Sequence, residues 1–530
     1  MPLPSSSPSA AALTTLLLLA SCTETAAPTG PPPQVEATLA VGGDVVLARR
    51  MNALLVQKTN LGLGSLQPLL DADLTFVNLE TVVASGGIHG VDKGSRPPYY
   101  FRGEPETLGL LIDAGVDVVG MANNHTGDYG PDAIIEGVGL LDAAGMGHSG
   151  AGATFEEACA PTYRHAGELV VAFLSMDRTQ RSFAATAGSP GTCYLPRDAK
   201  GWKAHLTPRI KAARAQADLV MVAVHWGANH RDRPIDNNRK LAHVIIDAGA
   251  DAVLGSSAHR TQGVEVYKGR PVLFDTGNFL WESHLRKEEA RSMLFLLELS
   301  AAGVHQVRAQ PIDILYGRTV LSTGTRAADN IERFVSFNEE FGTTSRVEGT
   351  EVIIDLPPPP ARPAPTVETP PDPPLGPSPT RRDAPPDGCE VDAVPEDVAT
   401  SPVSMGGLTL LGHRVTPTMM SKHGLVWVET WWRAETAEPI TDYKWLYLRI
   451  DKSDRTSRWW GDHVPCDWTW PPHRWTPGTI IHDRYQVRSD ITLKEGQYGV
   501  FLDVFSGSGP VKDPHPLAQI IVDPAPPAKK

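Results

Sequence analysis

The sequence contains no run rich in lysine or arginine, although the chain is 530 residues long and carries a formal net charge of -13. Because proteins bind nucleic acid phosphates with concentrated positive charge, this distribution argues against a nucleic acid partner. The acidic residues are spread along the chain, so we interpret the charge as a solubility feature. The sequence also lacks a glycine loop ending in Lys-Ser or Lys-Thr, which excludes the common phosphate-cradling loop of nucleotide-binding enzymes.

Long apolar runs are missing as well, since nothing after the first segment is apolar for long enough to span a bilayer. Residues 1–22, MPLPSSSPSAAALTTLLLLASC, combine a short apolar run with small residues, which predicts an export signal. The end of this segment resembles the lipobox of bacterial lipoproteins, which implies lipid attachment at Cys22 and a membrane-anchored protein facing the periplasm or the cell surface. No Lys or Arg precedes the apolar run, so plain secretion and an uncleaved apolar start remain alternatives. Residues 23–35 would form a flexible tether.

Cysteine is scarce, with five in the whole chain. Export would place the four that follow Cys22 in an oxidising compartment, where disulfides form and persist. Pairing Cys159 with Cys193, and Cys389 with Cys466, would keep each bridge inside one domain, although sequence alone does not fix the connectivity. Four free, buried thiols are the alternative.

The chain is too long for a single core, and its clearest boundary is a proline-rich segment at residues 357–388. Proline at this density blocks helix and sheet alike, so we predict a stiff, extended linker. It separates a large domain, residues 36–356, from a smaller one, residues 389–530.

The large domain alternates strand-like runs with helix-like segments. Apolar runs such as EATLAVGGDVVLA and ADLVMVAVHWG are typical of buried strands, and segments such as Pro105–Ala114 and Asn237–Ala248 are rich in helix formers. This alternation predicts an α/β fold in which helices cover a sheet. In such folds, ligands bind beyond the carboxyl ends of the strands.

Six of the strand-like runs end in polar residues. One such residue is usually a cap or a turn, but six strand ends together supply the mixed carboxylate, amide and imidazole ligands of a divalent transition-metal site. The residues concerned are Asp44, Asn78, Glu80, Asn123, Asn124, His125, His225, His259 and Asn278.

The same stretches resemble a known family. GGDVVLAR, FVNLETVV, PYYFRG, VVGMANNHTGDYG, VHWG and GSSAHRTQGVEVYKGRPVLFDTGNF are similar, in this order, to the motifs of the CapA capsule-synthesis (poly-γ-glutamate biosynthesis) proteins. That family is similar to the calcineurin-like metallophosphoesterases. The resemblance covers roughly residues 36–356 and implies a two-sheet sandwich flanked by helices.

The resemblance also implies roles for individual residues. The family's metal ligands match Asp44, Glu80, Asn124, His225 and His259. These ligands would hold one or two divalent ions (Mn, Fe, Zn or Mg), and Asp44 matches the aspartate that bridges them. His125 matches the imidazole that supplies a proton to a leaving group or stabilises a charged transition state. Three amides are assigned to substrate binding: Asn78, Asn123 and Asn278. Asn123 and Asp128 are also interpreted as residues that support the ligands or the turn.

Two positions depart from the family pattern. Ser257 stands where the family usually has the first histidine of a His-Pro-His motif, and Ala228 and Asn229 follow the VHWG motif in place of an acidic residue. A hydroxyl is a poor ligand for borderline metals, so a mononuclear site, a looser site and an inactive site all remain open. His230 would either compensate for the missing imidazole or face solvent as an ordinary loop residue.

The smaller domain is predicted to be an antiparallel β-sandwich, because short alternating strands are separated by turns. It holds nine of the chain's 12 tryptophans. Alternating ones such as Trp427 and Trp431 are expected in the core. The loop RWWGDHVPCDWTWPPHRW is harder to bury, and its indoles would either pack the loop or stack on sugar rings of a wall or capsule polymer.

Two functions are therefore consistent with the sequence. The first is a metal-dependent hydrolase or transferase that acts at the cell surface on a capsule or envelope polymer, or on a phosphoester. The second is a non-catalytic scaffold that holds an anionic polymer such as poly-γ-glutamate in a degenerate cleft. The expected partners are an anionic capsule or cell-wall polymer and a membrane complex for capsule synthesis or export.

Overall fold

The structure is a computed structural model that describes residues 35–523, apart from short stretches. These stretches are 58–60, 89–90, 95–98, 197–198, 282–284, 286, 359–364, 368, 378–384, 386, 422–424, 436–443, 453–457, 467–471, 489–494, 507–508 and 511–514. The export signal with Cys22, and all of the tether except its last residue, lie outside the described residues.

The described chain up to residue 358 alternates strands and helices, as predicted. Its strands are β1 (Ala37–Val45), β2 (Leu74–Leu79), β3 (Val82–Val83), β4 (Arg102–Gly103), β5 (Val118–Gly120), β6 (Gly147–Ser149), β7 (Ala151–Gly152), β8 (Thr162–Ala166), β9 (Leu169–Asp177), β10 (Gly191–Thr192), β11 (Leu219–His225), β12 (Ala252–Ser256), β13 (Val264–Tyr267), β14 (Arg270–Leu273), β15 (Asn278–Leu280), β16 (Arg291–Ser300), β17 (Gly303–Leu315), β18 (Arg318–Leu321), β19 (Arg346–Glu348) and β20 (Glu351–Asp355). The helices are α1 (Arg50–Gln57), α2 (Gln67–Leu70), α3 (Gly109–Ile112), α4 (Gly130–Ala143), α5 (Phe155–Ala158), α6 (Ala199–Arg214), α7 (Asp236–Asp247) and α8 (Gly324–Glu339).

Ten of these strands form one mixed sheet around β1. The order across it is β19-β20-β17-β16-β1-β2-β5-β6, with β15 paired to the end of β1 and β18 paired to β17. Strands β1, β2, β5 and β6 are parallel, whereas β16 pairs with β1 in the antiparallel sense. The carboxyl ends of β1, β2 and β5 therefore meet at one edge of the sheet.

A second sheet has six strands in the order β13-β14-β12-β11-β9-β8. Its four central strands, β9, β11, β12 and β14, are parallel. The run RPVLFDTGNF, which reads as one strand in the sequence, is divided between the sheets, since β14 pairs here and β15 pairs with β1. The turn between β14 and β15 thus connects the two sheets at the edge where their strands end.

The two sheets pack their apolar faces together. Phe76 of β2 stacks on Phe173 of β9 with ring centroids 5.6 Å apart, and one buried cluster contains residues of both sheets. Helices α1 to α4 contribute to a cluster on the outer face of the first sheet, and α6 and α7 to a cluster on the outer face of the second. The α/β prediction is confirmed, and assignment to the metallophosphoesterase type stays a prediction.

Both expected disulfides are present. Cys159 is bonded to Cys193 and Cys389 to Cys466, with Cα–Cα distances of 4.9 and 5.6 Å. The first bridge ties the end of α5 to the residue after β10. The alternative of four free thiols does not hold in this structure.

Residues 389–523 form β-structure in the part that is described. The strands are β21 (Glu390–Val391), β22 (Ala399–Ser404), β23 (Leu408–Thr416), β24 (Met419–Ser421), β25 (Leu425–Ala434), β26 (Lys444–Lys452), β27 (Arg458–His463), β28 (Ile480–Arg488), β29 (Gly496–Ser506), β30 (Gly509–Pro510) and β31 (His515–Asp523). They make one sheet of order β21-β28-β25-β23-β22 and another of order β24-β31-β29-β26-β27, with β30 beside β29. Apolar residues of both sheets join in one core cluster.

The tryptophans of β25 have a different register from the expected one. Trp432 is fully buried in the core cluster, so Trp427 and Trp431 lie on the opposite face of the strand. Trp431 is nevertheless buried and stacks on His482, with ring centroids 4.6 Å apart. The guanidinium of Arg484 lies 4.0 Å from the ring centroid of Trp427. Two tryptophans of the predicted binding loop, at positions 468 and 470, lie outside the described residues.

Part of the proline-rich linker contacts the large domain. Asp372 Oδ2 accepts a hydrogen bond from the backbone N–H of His165 at 2.7 Å, and its Oδ1 lies 3.0 Å from His165 Nδ1. The Thr369 hydroxyl donates to the backbone carbonyl of Gln216 at 2.9 Å. The described part of the linker contains no helix or strand, and it contacts the edge strand β8 and Gln216, which follows α6. Among the described helices, none is both long and apolar enough to cross a bilayer.

Candidate metal centre

The candidate site lies where strands of both sheets end. Asp44 is the penultimate residue of β1, Glu80 follows β2 directly, and His225 is the last residue of β11. The backbone at Gly43 comes so close to the loop before β15 that an added Cβ would lie 1.9 Å from the Gly277 carbonyl oxygen. Asp44 N donates to that same oxygen at 2.8 Å, so a glycine at position 43 allows the approach that places the Asp44 carboxylate.

Asp44, Glu80 and His259 form the first ligand group. One potential ligand atom from each lies within 4.8 Å of the other two. His259 Nδ1 is 3.1 Å from Asp44 Oδ2 and 3.8 Å from Glu80 Oε2. Both carboxylates are buried, whereas the His259 side chain is 13% exposed, so the group opens to solvent on the histidine side.

A second ligand group lies on the other side of Glu80. Glu80 Oε1 is 3.7 Å from His225 Nε2 and 3.9 Å from His125 Nε2. The Asn124 amide oxygen lies 2.6 Å from the same nitrogen of His225. Glu80 therefore lies between the two ligand groups, and the bridging role that the family resemblance implies for Asp44 stays a prediction.

The carboxylate of Glu80 shows that these residues fit a cation. Both of its oxygens are buried, and neither accepts a hydrogen bond from the described residues. A buried carboxylate is costly unless a proton or an opposite charge compensates it. The donors around it are carboxylate, amide and imidazole, a set that suits Mn, Fe or Zn, whereas Mg favours an all-oxygen site.

Asp44 and His259 shift each other's ionisation. Burial alone would raise the pKa of the Asp44 carboxyl, but its hydrogen bond with His259 and the charges of His259 and His225 lower it. Burial alone would lower the pKa of His259, but the charges of Glu80 and Asp44 raise it to about 10. A proton on His259 thus supplies positive charge beside the two carboxylates.

The pKa values of two further carboxyl groups, those of Glu80 and Asp275, are raised. Burial, followed by the charge of Asp44, raises the pKa of Glu80 well above its ordinary value. The same two causes raise the pKa of Asp275 to about 8. Asp275 accepts hydrogen bonds from the backbone N–H groups of Ala258 at 2.6 Å and Gly277 at 2.9 Å. It therefore holds the turn before His259 against the loop that follows β14, a role that sequence reasoning missed although the motif VLFDTG contains it.

The pKa values of the two histidines beside Glu80 Oε1, the ligand His225 and the neighbouring His125, are lowered. Burial lowers the pKa of His225 to about 3, against the opposing charge of Asp44. Burial likewise lowers the pKa of His125 to about 4, against the charge of Asp128. Both rings are neutral at neutral pH, and a neutral imidazole keeps one nitrogen lone pair that binds a metal or accepts a proton.

The three amides assigned to substrate binding are buried and connect parts of the site. Asn78 donates to Asp44 Oδ1 at 2.7 Å, and Asn123 donates to the backbone carbonyl at the end of β2 at 2.8 Å. Asn278 Oδ1 lies 3.2 Å from His259 Nδ1. These contacts position the ligands, and direct contact with substrate stays a prediction.

The two departures from the family pattern have distinct environments. Ser257 is buried and has a φ of 100°, a backbone conformation that residues with side chains rarely adopt. A Cβ added at Gly227 would lie 3.2 Å from the Ser257 hydroxyl, which therefore lies beside the VHWG turn. The side chain of His230 is 49% exposed, and its Nδ1 lies 2.9 Å from Glu289 Oε1. His230 is thus a rim residue paired with a carboxylate.

A second set of potential metal ligands lies away from this site. His205 Nε2 is 3.8 Å from Cys159 Sγ and 3.6 Å from Cys193 Sγ. Because these two sulfurs are bonded to each other, neither is a thiolate that would bind a metal.

Comparisons with known proteins agree with the capsule-synthesis resemblance. Residues 38–283 match the family model described as bacterial capsule synthesis protein PGA_cap. The PGA biosynthesis protein CapA of Bacillus subtilis is 31% identical over 211 residues, which are 39% of this chain and 54% of that protein. The capsule biosynthesis protein CapA of Bacillus anthracis is 27% identical over 267 residues, 49% of this chain and 63% of that protein.

A third relative is a probable polyglutamine synthesis accessory protein of Mycobacterium tuberculosis, 29% identical over 43% of this chain and 61% of that protein. The chain thus spans between 54% and 63% of the length of these three relatives. Among solved structures, TT1561 of Thermus thermophilus covers 50% of this chain and 95% of its own with 12% identity, but its TM-score of 0.29 is too low to support a fold assignment. Residues 38–283, which include every residue of the two ligand groups, are therefore similar to the PGA_cap family of bacterial capsule synthesis proteins.

Proposed function

We propose that this chain is an envelope protein of capsule or poly-γ-glutamate biosynthesis that holds one or two divalent metal ions and hydrolyses or transfers a group on an envelope polymer or phosphoester. One observation carries the proposal: Glu80 presents to each of two ligand groups one buried oxygen that accepts no hydrogen bond from the described residues. The ligands in this proposal are Asp44, Glu80, Asn124, His225 and His259. The two face-to-face sheets with outer helices are consistent with a metallophosphoesterase-like fold, and we interpret residues 389–523 as a β-sandwich.

A bound divalent ion would polarise a phosphoryl or carbonyl oxygen and lower the pKa of water at the site. The chain's own contribution is to orient the groups around it. Asn78 holds the Asp44 carboxylate, and Asn278 contacts His259. Because these amides are buried, each ligand keeps a single direction while the exposed edge at His259 admits substrate.

His125 is the residue that we assign to proton handling. Its Nδ1 lies 2.5 Å from Asp128 Oδ2, and its Nε2 faces Glu80. With the proton on Nδ1, Nε2 is an acceptor, so His125 takes a proton from substrate or water before it returns one to a leaving group. The neutral state, which follows from its pKa of about 4, is consistent with this order.

The alternative function is a scaffold that binds an anionic polymer without turnover. Ser257 favours it, because the family's imidazole is missing there and the strained serine backbone lies beside the VHWG turn. In both cases we place the protein in the cell envelope, attached through lipid at Cys22 and working with a capsule synthesis or export complex.

Hydrolysis of a generic aryl phosphodiester by the metal-loaded chain separates the two functions. The enzyme proposal expects turnover that depends on added divalent metal, and His125→Ala should retain the metal but lose roughly a hundredfold in rate. Binding of poly-γ-glutamate that survives His125→Ala, with no turnover by any variant, would instead support the scaffold.

A further inference from the structure

We propose that Lys93 is a positioning residue for His125, acting through Asp128. In this arrangement the ammonium group fixes the Asp128 carboxylate, and the carboxylate fixes the ring and the tautomer of His125. A role of this arrangement in catalysis rests on the proposed function. The positioning of His125 by Lys93 and Asp128 does not depend on it.

The Lys93 side chain is buried beside the site. Its Nζ lies 2.5 Å from Asp128 Oδ1, and the two side chains are only 3% and 0% exposed. The same nitrogen donates to the backbone carbonyl of Tyr99 at 3.1 Å. Breaking a buried ion pair on one side leaves an uncompensated charge, so this pair constrains the position of the carboxylate strongly.

Asp128 connects Lys93 with His125. Its Oδ1 faces the lysine, while its Oδ2 accepts the backbone N–H of Phe101 at 2.7 Å and lies 2.5 Å from His125 Nδ1. Because Oδ2 already accepts one N–H and the carboxylate is paired with an ammonium, it acts as an acceptor toward the imidazole too. Lys93 Nζ also lies 3.3 Å from His125 Nδ1, but the 2.5 Å contact with the carboxylate oxygen is much shorter. The proton of the neutral ring is therefore on Nδ1, where it is donated to Asp128, and the lone pair is on Nε2.

The surrounding contacts fix the plane of the ring. Phe101 stacks on His125 with centroids 4.1 Å apart and planes inclined by 24°. The Gln180 amide donates to the backbone carbonyl of Lys93 at 2.7 Å, which connects this segment to the turn after β9. Lys93 and Phe101 thus contact this imidazole from one side, and its Nε2 is 3.9 Å from Glu80 Oε1 on the other.

Without the charge of Lys93, the tautomer of His125 should no longer be fixed. Without that charge, Asp128 Oδ1 is buried with no cation beside it, and the carboxylate no longer has a fixed position. The ring then also populates the tautomer with the proton on Nε2, in which the nitrogen that faces the ligand groups donates instead of accepting.

Nitrogen-15 NMR of histidine-labelled full-length protein, treated with a chelator, tests this inference without metal or turnover. His125→Gln identifies the resonances of His125. We expect a single Nδ1–H tautomer in the wild type, a second tautomer in Lys93→Met, and the wild-type pattern in Lys93→Arg, which retains the charge. Lys203→Met, on the exposed face of α6, is the matched control and should leave the pattern unchanged.

Asp128→Asn provides an independent arm if Lys93→Met does not fold. The amide has almost the same shape and can donate to Nδ1, so it should shift His125 toward the Nε2–H form. An unchanged tautomer in folded Lys93→Met or Asp128→Asn would overturn the inference. Absence of turnover in the wild type, with the expected tautomer changes present, would refute the proposed enzyme function and leave the positioning role intact.

Discussion

At the scale of residues, the proton on His259 couples metal binding to pH. His259 must lose this proton to bind a metal, and its pKa of about 10 means that the proton is present at neutral pH. Burial and the charge of Asp44 also raise the pKa of Glu80, so protonation of this carboxyl opposes metal binding in the same direction. The apparent metal affinity should therefore increase with pH from about 6 to 9, by roughly tenfold per unit for each proton released.

Titration calorimetry in buffers of different ionisation enthalpy measures this release directly. His259→Gln should release about one proton fewer than the wild type, whereas His148→Gln, at a half-buried histidine of β6 paired with Asp142, should match the wild type. The folding stability of the metal-free protein should instead decrease as the pH rises. The stability contributed by protonated His259 is complete below pH 6.5 and is lost as the pH approaches 10. Metal binding without proton release would contradict these assignments.

The strand-end rule identified the residues of the site, but it could not assign all their roles. Asp44, His225 and His259 converge because parallel strands of two sheets end at one edge, which periodicity and polarity alone predict. Glu80 lies between the ligand groups because of the direction that its side chain takes just after β2. The order of residues in the sequence does not reveal that direction. Lys93 had no motif signal, since its contacts form only after distant segments pack together.

At the scale of elements, the close approach of β1 and the loop before β15 depends on Gly43. In Gly43→Ala, the methyl group would overlap the Gly277 carbonyl oxygen, so the two segments must separate. We expect a loss of about 1–3 kcal/mol in the free energy of unfolding, together with weaker metal binding because Asp44 moves. Chemical denaturation and metal titration measure the two effects.

Gly139→Ala is the matched control for this substitution. Gly139 lies on the exposed side of α4, and no atom lies within 4 Å of an added Cβ. Alanine is a better helix former there by about 0.8–1.0 kcal/mol, so this variant should be slightly more stable. Equal free energies of unfolding for both variants and the wild type would show that the contact between Gly43 and the loop at Gly277 leaves room for a methyl group.

The linker yields a prediction about domain boundaries. Because Asp372 and Thr369 contact the large domain, a chain ending at residue 377 should melt a few degrees higher than one ending at residue 356. Asp372→Asn in the longer chain should remove much of the difference. Identical melting temperatures for the two chains, measured by circular dichroism, would show that these contacts contribute no stability.

The linker and the divided run RPVLFDTGNF also show where element prediction fails. Proline density predicts a stiff, extended segment, but the contacts of that segment depend on His165 and on a backbone carbonyl, which composition does not reveal. The divided run has apolar residues on both sides of Asp275, so nothing in its periodicity shows that the chain crosses between sheets there. In the smaller domain, consecutive tryptophans at 431 and 432 left the register of β25 ambiguous.

At the scale of the whole molecule, the segment that ends at Cys22 decides where the site operates. If its cysteine is lipidated, Cys22→Ala should move the protein from the membrane fraction to the soluble fraction, since a diacyl anchor would be lost. Fractionation followed by immunoblotting tests this expectation. Unchanged membrane association of the variant, with the wild type also membrane-bound, would exclude lipidation as the anchor.

The metal content of the purified full-length chain tests the central claim most directly. After saturation with Mn²⁺ or Zn²⁺ and desalting, elemental analysis should find one or two ions per wild-type chain. Asp44→Asn and Glu80→Gln should each lose bound metal, because they remove the charge that offsets the ion, while Asp142→Asn, on the exposed side of α4, should retain it. A metal content of the wild-type chain no higher than that of Glu80→Gln would contradict the account. The site would then be at most a surface that binds polymer without metal.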